Sequence, residues 1–408
     1  MSRLPAHKWT FAPRFRRRAF GWRSQPAMQR VKEATAEIQT VAKKDSVLAA
    51  AGAVLFVEKI SPALEQVDSS SGAIGTAVNH AIDACAKIIS EASVDDRTRD
   101  QWLDRLWDAY QNDEIPYIER LGDYWGELCA SPERASAWAD RLIGTVETMW
   151  SPAGKPGGYF TGTIPCLSAL FHAGRHEELL ALVDKAPYFW WHYRGWGVRS
   201  LAALGRKAEA IRYAESGRGL NDSPIAIARA CEEILLSSGL ADEAYARYAI
   251  AANQGTTFLA TFRAIKKKYP TKPAAKILDD LVASTPGEEG KWFAAAKDAG
   301  LYDEAIALAR RTPCDPRTLT RAARDFAVTN PRFAVEAGMA ALGWIVAGYG
   351  YEITGADVLS AYSSTMDAAK NCNAVDEIES RVRGFLAAAQ SPATNFVAQV
   401  LGRAMNSR

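Results

Sequence analysis

Apolar side chains recur every three or four positions along nearly the whole chain from about residue 27 onward. The stretch after Asp100 is an example, and its apolar members are Trp102, Leu103, Leu106, Trp107 and Tyr110. This spacing is typical of amphipathic helices, and the sequence contains no convincing alternation of polar and apolar residues of the kind that marks strands. The pattern therefore predicts an all-α protein.

Local signals mark where some of these helices begin. Ser131, Pro132 and Glu133 supply an N-cap hydroxyl, a proline for the first helical position and an acid for the first turn. Thr354 and Asp357 have the spacing of a capping box, with Asp in place of the usual Glu. We expect helices to begin directly after Ser131 and Thr354.

A short motif is repeated in the second half of the chain. Glycine, three residues of any type, glutamate and then Ala or Leu occur together at Gly174, Gly205, Gly239 and Gly300. Glycine tolerates the left-handed conformation that ends a helix, and the glutamate then falls in the first turn of the next helix, where the helix dipole favours an acid. With further breaks near 270 and 330, the turns recur about every 30 residues. Helix pairs of this length must stack to bury their apolar faces, which predicts an α-solenoid.

These motifs carry a family resemblance. Segment 300–306 reads Gly-Leu-Tyr-Asp-Glu-Ala-Ile and resembles the turn and second helix of a tetratricopeptide (TPR) repeat, and segments 205–211 and 239–244 are similar. The first helices lack the Trp–Leu–Gly–Tyr spacing of that family, so we describe the repeats as divergent and TPR-like. The resemblance covers about residues 160–345, and it implies stacked helical hairpins that bind a protein partner on a concave face.

The chain is predicted to have four parts. Residues 1–26 form a basic, aromatic-rich N-terminal arm, and residues 27–150 form a HEAT-like helical region with longer helices. The Pro- and Gly-rich segment 151–158 is the expected boundary. TPR-like repeats follow over 159–345, and residues 346–408 form a helical cap.

Charge is unevenly distributed along the chain. The first 32 residues hold nine of the 49 Lys and Arg residues and no acid, which leaves 40 basic and 47 acidic residues for the rest, a net charge of −7. Aromatic residues alternate with the arginines of the arm, which are Arg14, Arg16, Arg17, Arg18 and Arg23. Three alternatives remain: docking on the acidic body or on a protein partner, binding of single-stranded nucleic acid or RNA, and a targeting signal.

The densest aromatic cluster lies between residues 188 and 196. Exposed Trp, Tyr and Arg side chains are frequent binding hot spots. The partner-binding residues expected from this cluster are Tyr188, Trp191, Tyr193, Arg194 and Trp196. The alternative is that the cluster forms core between repeats, because Trp and Tyr bury large areas.

The sequence offers little for catalysis. Its six cysteines form no C-x-x-C pair, and it contains no P-loop, dinucleotide-binding or nucleophile-elbow motif. We therefore expect no metal and no cofactor. Unpaired cysteines, no apolar stretch within the first thirty residues, and a longest apolar run of only eleven residues (47–57) favour a cytoplasmic protein without a membrane span.

Three functions remain at this point. A non-catalytic protein-interaction scaffold fits the repeats and the aromatic cluster. A nucleic-acid-associated repeat protein that uses the basic arm is the alternative, with nucleic acid as a possible second class of partner. An enzyme with an unrecognised helical active site is the third. The identity of the protein partner does not follow from the sequence.

Overall fold

A computed structural model describes residues 7–151, 159–216, 223–388 and 392–406. Within these ranges every regular element is a helix and no β-strand is formed. The predicted all-α class is therefore confirmed. The helix that follows Ser131 begins at Pro132, with the Ser131 hydroxyl accepting a hydrogen bond from the Arg134 amide, as the start signals predicted.

The chain divides into two compact units, residues 1–234 (unit 1) and 235–408 (unit 2). The helices of unit 1 are α1 (Ser24–Ala42), α2 (Ser46–Leu64), α3 (Ala73–Glu91), α4 (Asp96–Gln111), α5 (Trp125–Leu128), α6 (Pro132–Trp150), α7 (Thr163–His172), α8 (His176–Val183), α9 (Trp191–Ala203) and α10 (Lys207–Ser216). The division falls within α11 (Pro224–Leu236). The helices of unit 2 are α12 (Ala241–Ala252), α13 (Phe258–Lys268), α14 (Ala274–Ala283), α15 (Phe293–Asp298), α16 (Tyr302–Arg311), α17 (Pro316–Phe326), α18 (Pro331–Val346), α19 (Gly355–Asn371), α20 (Val375–Ala388) and α21 (Pro392–Asn406).

This division differs from the predicted boundary at 151–158. Helices α6 and α7, which flank that segment, pack against each other and belong to the same unit. Residues 152–158 lie outside the described part of the chain. A loop-like composition therefore marked a connection between packed helices and not the division between the compact units.

The repeated glycines end helices as predicted. Gly174, Gly205, Gly239 and Gly300 all have left-handed φ angles, between 74° and 78°. At Gly174 the next amide, that of Arg175, donates to the Leu170 carbonyl at 3.0 Å, which is the long hydrogen bond of a Schellman motif. The corresponding bond recurs after each of the other three glycines. Each glycine thus closes one helix and lets the next begin within two residues.

Two arginines that directly follow repeated glycines link every second helix in this part of unit 1. Arg175, directly after Gly174, pairs with Glu178 of its own helix at 2.7 Å and also reaches Asp140 of α6. Arg206, directly after Gly205, pairs in the same way with Glu209 of α10 and with Glu177 of α8, at 2.6 and 3.3 Å. The Gly-Arg-x-x-Glu version of the motif therefore combines a helix stop with a tie to an earlier helix.

Helix α2 is the apolar centre of unit 1. It packs against α1, α3 and α4, and its Glu58 accepts two hydrogen bonds from Arg105 of α4, at 2.7 and 2.6 Å. With 19 residues, α2 is long enough and apolar enough to cross a membrane, judged by length and composition alone. However, 61% of its most apolar stretch is buried inside the protein. The eleven-residue run is thus part of a longer helix, and packing within unit 1 accounts for its apolar composition.

The helices of unit 2 also pack against helices that are near them in the chain. Helix α18 packs against α16, α17 and α19, and α19 also packs against α17 and α21. At the start of α19, the Thr354 hydroxyl accepts from the Asp357 amide while the Asp357 carboxylate accepts from the Thr354 amide. The predicted capping box is therefore confirmed, with Asp in the position of the usual Glu.

Candidate functional site

The N-terminal segment is part of the core of unit 1. Trp9, Phe11, Phe15 and Phe20 are buried, and Phe15 packs edge-to-face with Phe11, Phe20 and Phe56 of α2. Gly52 of α2 makes room for this segment, because a β-carbon there would lie 2.1 Å from the Trp9 ring. Of the alternatives left open for the N-terminal arm over residues 1–26, the described part, 7–26, is docked on the body of the protein, because burying four large aromatic rings holds it there.

The arginines of this segment lie on its outer side. Arg14, Arg16, Arg17, Arg18 and Arg23 are all exposed. Arg17 and Arg18 both pair with Glu65, at 2.7 and 2.8 Å, and Arg14 lies 3.4 Å from Glu33. Arg16 and Arg23 have no acidic side chain within ion-pair distance among residues 7–151, 159–216, 223–388 and 392–406. The segment therefore buries its aromatic side and presents its charge to solvent.

Three of the five residues predicted to bind a partner are buried. Tyr193, Arg194 and Trp196 lie on the inner side of α9 and are 3–6% exposed. The Arg194 guanidinium donates to the Tyr213 carbonyl and lies 4.0 Å from the centre of the Tyr213 ring. Tyr193 packs on Trp150 of α6 and Trp196 on Phe171 of α7. The prediction that these three side chains contact a partner is corrected, because side chains that pack α9 on its neighbouring helices are not available at the surface.

Exposed aromatic residues lie beside them. Helix α8 ends at Val183 and α9 begins at Trp191, so Tyr188 and Phe189 fall in the connection between them, where they are 43% and 67% exposed. The Tyr188 ring stacks on Trp190 at 4.7 Å, and Trp190 contacts Tyr193 at 5.8 Å. Of the predicted residues, Tyr188 is thus at the surface, and Trp191 is half-buried at the start of α9.

A further aromatic residue borders this surface. Tyr159 is 68% exposed, and its proximity to the buried Tyr193 is one cause, after burial, that raises the pKa of Tyr193 to about 12. We name Tyr159, Tyr188, Phe189 and Trp190 the aromatic surface. Phe189 and Trp190 belong to the aromatic cluster between residues 188 and 196 but were not among the residues expected to bind a partner. Tyr159 was not singled out from the sequence, although it directly follows the glycine-rich segment and exposure is typical of such a position.

Carboxylates lie close to the aromatic surface. Asp113, Glu119 and Asp123 all have pKa values above their ordinary ones, first because they are partly withdrawn from water. The charges of Asp123 and Asp113 raise the pKa of Glu119 further, and Arg199 and Arg120 oppose the shift at Asp123. Glu119 also contributes to the raised pKa of Tyr193, which places this carboxylate next to the aromatic residues. Glu119 and Asp113 therefore place negative charge near Tyr159.

Comparisons with known proteins give no match: no family model, no curated protein and no solved structure matches this chain. Among the residues that the structure describes, no three His, Cys, Asp or Glu side chains converge in a way that would hold a metal ion. Five of the six cysteines are buried and Cys372 is half-buried. Functional inference therefore depends on the surfaces of this chain alone.

Proposed function

We propose that this protein is a non-catalytic interaction scaffold of the α-helical repeat type, a divergent TPR-like solenoid that binds a protein partner. The observation that carries the proposal is the aromatic surface, where Tyr159, Tyr188 and Phe189 are exposed and Tyr188 stacks on the half-buried Trp190. Large exposed apolar patches are uncommon on proteins that act alone, and Tyr and Trp are enriched among binding hot spots.

The helical hairpins support the repeat assignment. In each unit the principal contacts join helices that are close in the chain, as in α7 with α8, α8 with α9 and α17 with α18. The four glycine turns recur at separations of 31, 34 and 61 residues, which matches one, one and two repeats. Local contacts and a regular turn spacing are characteristic of stacked repeats.

The chemistry of the surface favours a basic partner segment. Aromatic rings attract Lys and Arg through their π faces, and Glu119 with its neighbouring carboxylates offers partners for the same cations. A segment that interleaves Lys or Arg with apolar residues satisfies both features. An extended peptide or the exposed face of a helix is able to present such a pattern.

A paired-variant capture experiment tests this proposal. Tyr188→Ser with Phe189→Ser removes two exposed rings, whereas Val328→Ser with Tyr351→Ser removes comparably exposed apolar side chains from unit 2. From nuclease-treated lysate, we expect wild type and the unit 2 variant to enrich the same protein and the Tyr188/Phe189 variant to lose it. Equal enrichment by both variants would contradict a partner at the aromatic surface.

Nucleic-acid binding by the N-terminal segment is a second candidate. The observation that favours it is that Arg16 and Arg23 are exposed without acidic partners in the described chain, and that Arg23 directly follows Trp22, which is 72% exposed. Deleting the segment does not test this idea cleanly, because it removes core aromatics. Arg16→Glu with Arg23→Glu changes only the exposed charge. We expect this variant to weaken binding to single-stranded RNA and to flatten its salt dependence, whereas unchanged binding excludes the segment as the site.

A further inference from the structure

A small cavity lies in unit 2 between α17, α19 and the loop that precedes α19. Its volume is about 240 Å³, and three arginines line it: Arg317, Arg321 and Arg324. Pro316, Ile345 and Ile353 form its apolar wall, and Thr320, Asp357 and Ser360 complete the lining. The aromatic surface belongs to unit 1, so this cavity is a separate feature.

The three arginines share one face of α17. Their positions are i, i+4 and i+7, which places them one above another on a helix. The opposite face is buried through Leu319, Ala322 and Ala323. The packing of α17 therefore places all three guanidinium groups on the cavity side.

Two of the arginines are held in place. Arg317 donates to both carboxylate oxygens of Asp357, at 2.8 and 3.1 Å, and to the carbonyl of Glu352 at 3.0 Å. Asp357 is itself fixed by the capping box of α19. Arg321 donates to the Thr318 hydroxyl at 2.8 Å and forms no ion pair within the described ranges. Arg317 and Arg321 are therefore already positioned on one helix as hydrogen-bond donors of a binding site.

The charge of the cavity lining is positive. Of the lining arginines, Arg317 pairs with Asp357 and Arg324 with its sequence neighbour Asp325, both at 2.8 Å, which leaves Arg321 without an acidic partner in the described ranges. The apolar wall lowers the local dielectric and so strengthens attraction to an anion. Arginine forks match the oxygen spacing of phosphate and carboxylate groups.

We propose that this cavity binds a phosphate monoester. A phosphate monoester carries nearly two negative charges at neutral pH, which attracts it to Arg321, and its three terminal oxygens suit several arginine donors. The apolar wall of Pro316, Ile345 and Ile353 accommodates the organic group. This site is independent of the aromatic surface, so its test does not depend on the proposed scaffold function.

Calorimetric titration of the full chain tests the proposal, with inorganic phosphate and O-phosphoserine as probes and serine as the unphosphorylated control. We expect saturable binding of O-phosphoserine, weaker binding of inorganic phosphate and no binding of serine. Arg321→Ala should weaken O-phosphoserine binding about tenfold to a hundredfold, the usual loss for a charge-assisted hydrogen bond. Arg332→Ala removes an exposed arginine outside the cavity and should leave the affinity unchanged.

Circular dichroism shows whether each variant is folded, and Arg324→Ala provides a second cavity variant if Arg321→Ala is not. No saturable binding by wild type overturns the proposal. Equal losses in Arg321→Ala and Arg332→Ala overturn it as well, because the effect would then follow net charge. Binding of inorganic phosphate without binding of O-phosphoserine overturns the assignment of a monoester.

Discussion

Replacement of Phe15 by alanine tests whether the N-terminal segment is core or a free arm. Phe15 is 2% exposed, and its ring lies 6.1, 5.4 and 5.5 Å from those of Phe11, Phe20 and Phe56. Phe15→Ala therefore removes one of the two rings of residues 11–20 that pack against Phe56 of α2. The matched control is Trp22→Ala, which removes an even larger ring from a position that is 72% exposed.

The expected magnitude follows from the burial. Truncating a fully buried Phe to Ala costs about 3–5 kcal/mol, through lost transfer energy and the cavity that remains. The three edge-to-face contacts favour the upper part of this range. Truncating an exposed ring changes stability by about 0.5 kcal/mol or less. Because a domain is stable by only about 5–15 kcal/mol in total, the difference between the two variants is large.

Urea unfolding followed by far-UV circular dichroism and tryptophan fluorescence measures both variants. For Phe15→Ala we expect the first unfolding midpoint to fall by about 1 M or more, and for Trp22→Ala we expect it to stay near that of wild type. The reasoning is refuted if Phe15→Ala costs less than about 1 kcal/mol, since that value is typical of a residue outside the core.

Three further results follow from the same structure. Gly174→Ala should destabilise the protein by about 1–2 kcal/mol in urea unfolding, because the φ angle of Gly174 is +74°. The control is Gly144→Ala at an exposed, uncrowded position inside α6, which should stabilise by about 0.5–1 kcal/mol. Equal effects of the two substitutions would contradict the left-handed turn. Iodoacetamide at pH 8 should modify only Cys372 in the native protein, because the other five thiols are buried and burial raises the pKa of four of them to about 12; mass spectrometry detects any other site. The hydrogen bond from Arg381 holds the pKa of Glu336 below its ordinary value. Ionised Glu336 therefore contributes fully to folding stability above about pH 4.3, and this contribution is lost as the pH falls through the lowered pKa of the folded state. Glu336→Gln should reduce the loss of stability in acid unfolding, and an unchanged dependence of stability on pH would contradict this.

Local chemistry made the fold class and several helix ends predictable. Gly174 and its three counterparts have left-handed φ angles. Glycine adopts this conformation readily because it has no β-carbon, so the residue type alone predicts it. The capping box of Thr354 and Asp357 is likewise a short-range pattern. Stacking into a solenoid depends on how successive hairpins pack against one another, which no short motif specifies, and it stays a prediction.

The surfaces were less predictable for the same reason. Tyr193 and Trp196 face inward while Phe189 faces solvent. Aromatic residues that follow one another so closely form no single apolar stripe, so the sequence pattern does not show which of them are buried. The burial of Phe15 depends on contact with Phe56, 41 positions later in the chain. Five aromatic residues between arginines were a signal of docking, and the sequence left docking as one of several alternatives.

Site-specific photocrosslinking tests the central claim most directly. Benzoylphenylalanine in place of Phe189 puts the reactive group on the aromatic surface, and the same residue at Arg16 or Val328 probes the basic segment and an exposed site in unit 2. In nuclease-treated lysate, we predict a discrete protein crosslink from position 189 and none from 16 or 328. A crosslink only from position 16 that disappears with nuclease would contradict the scaffold account and favour nucleic-acid binding.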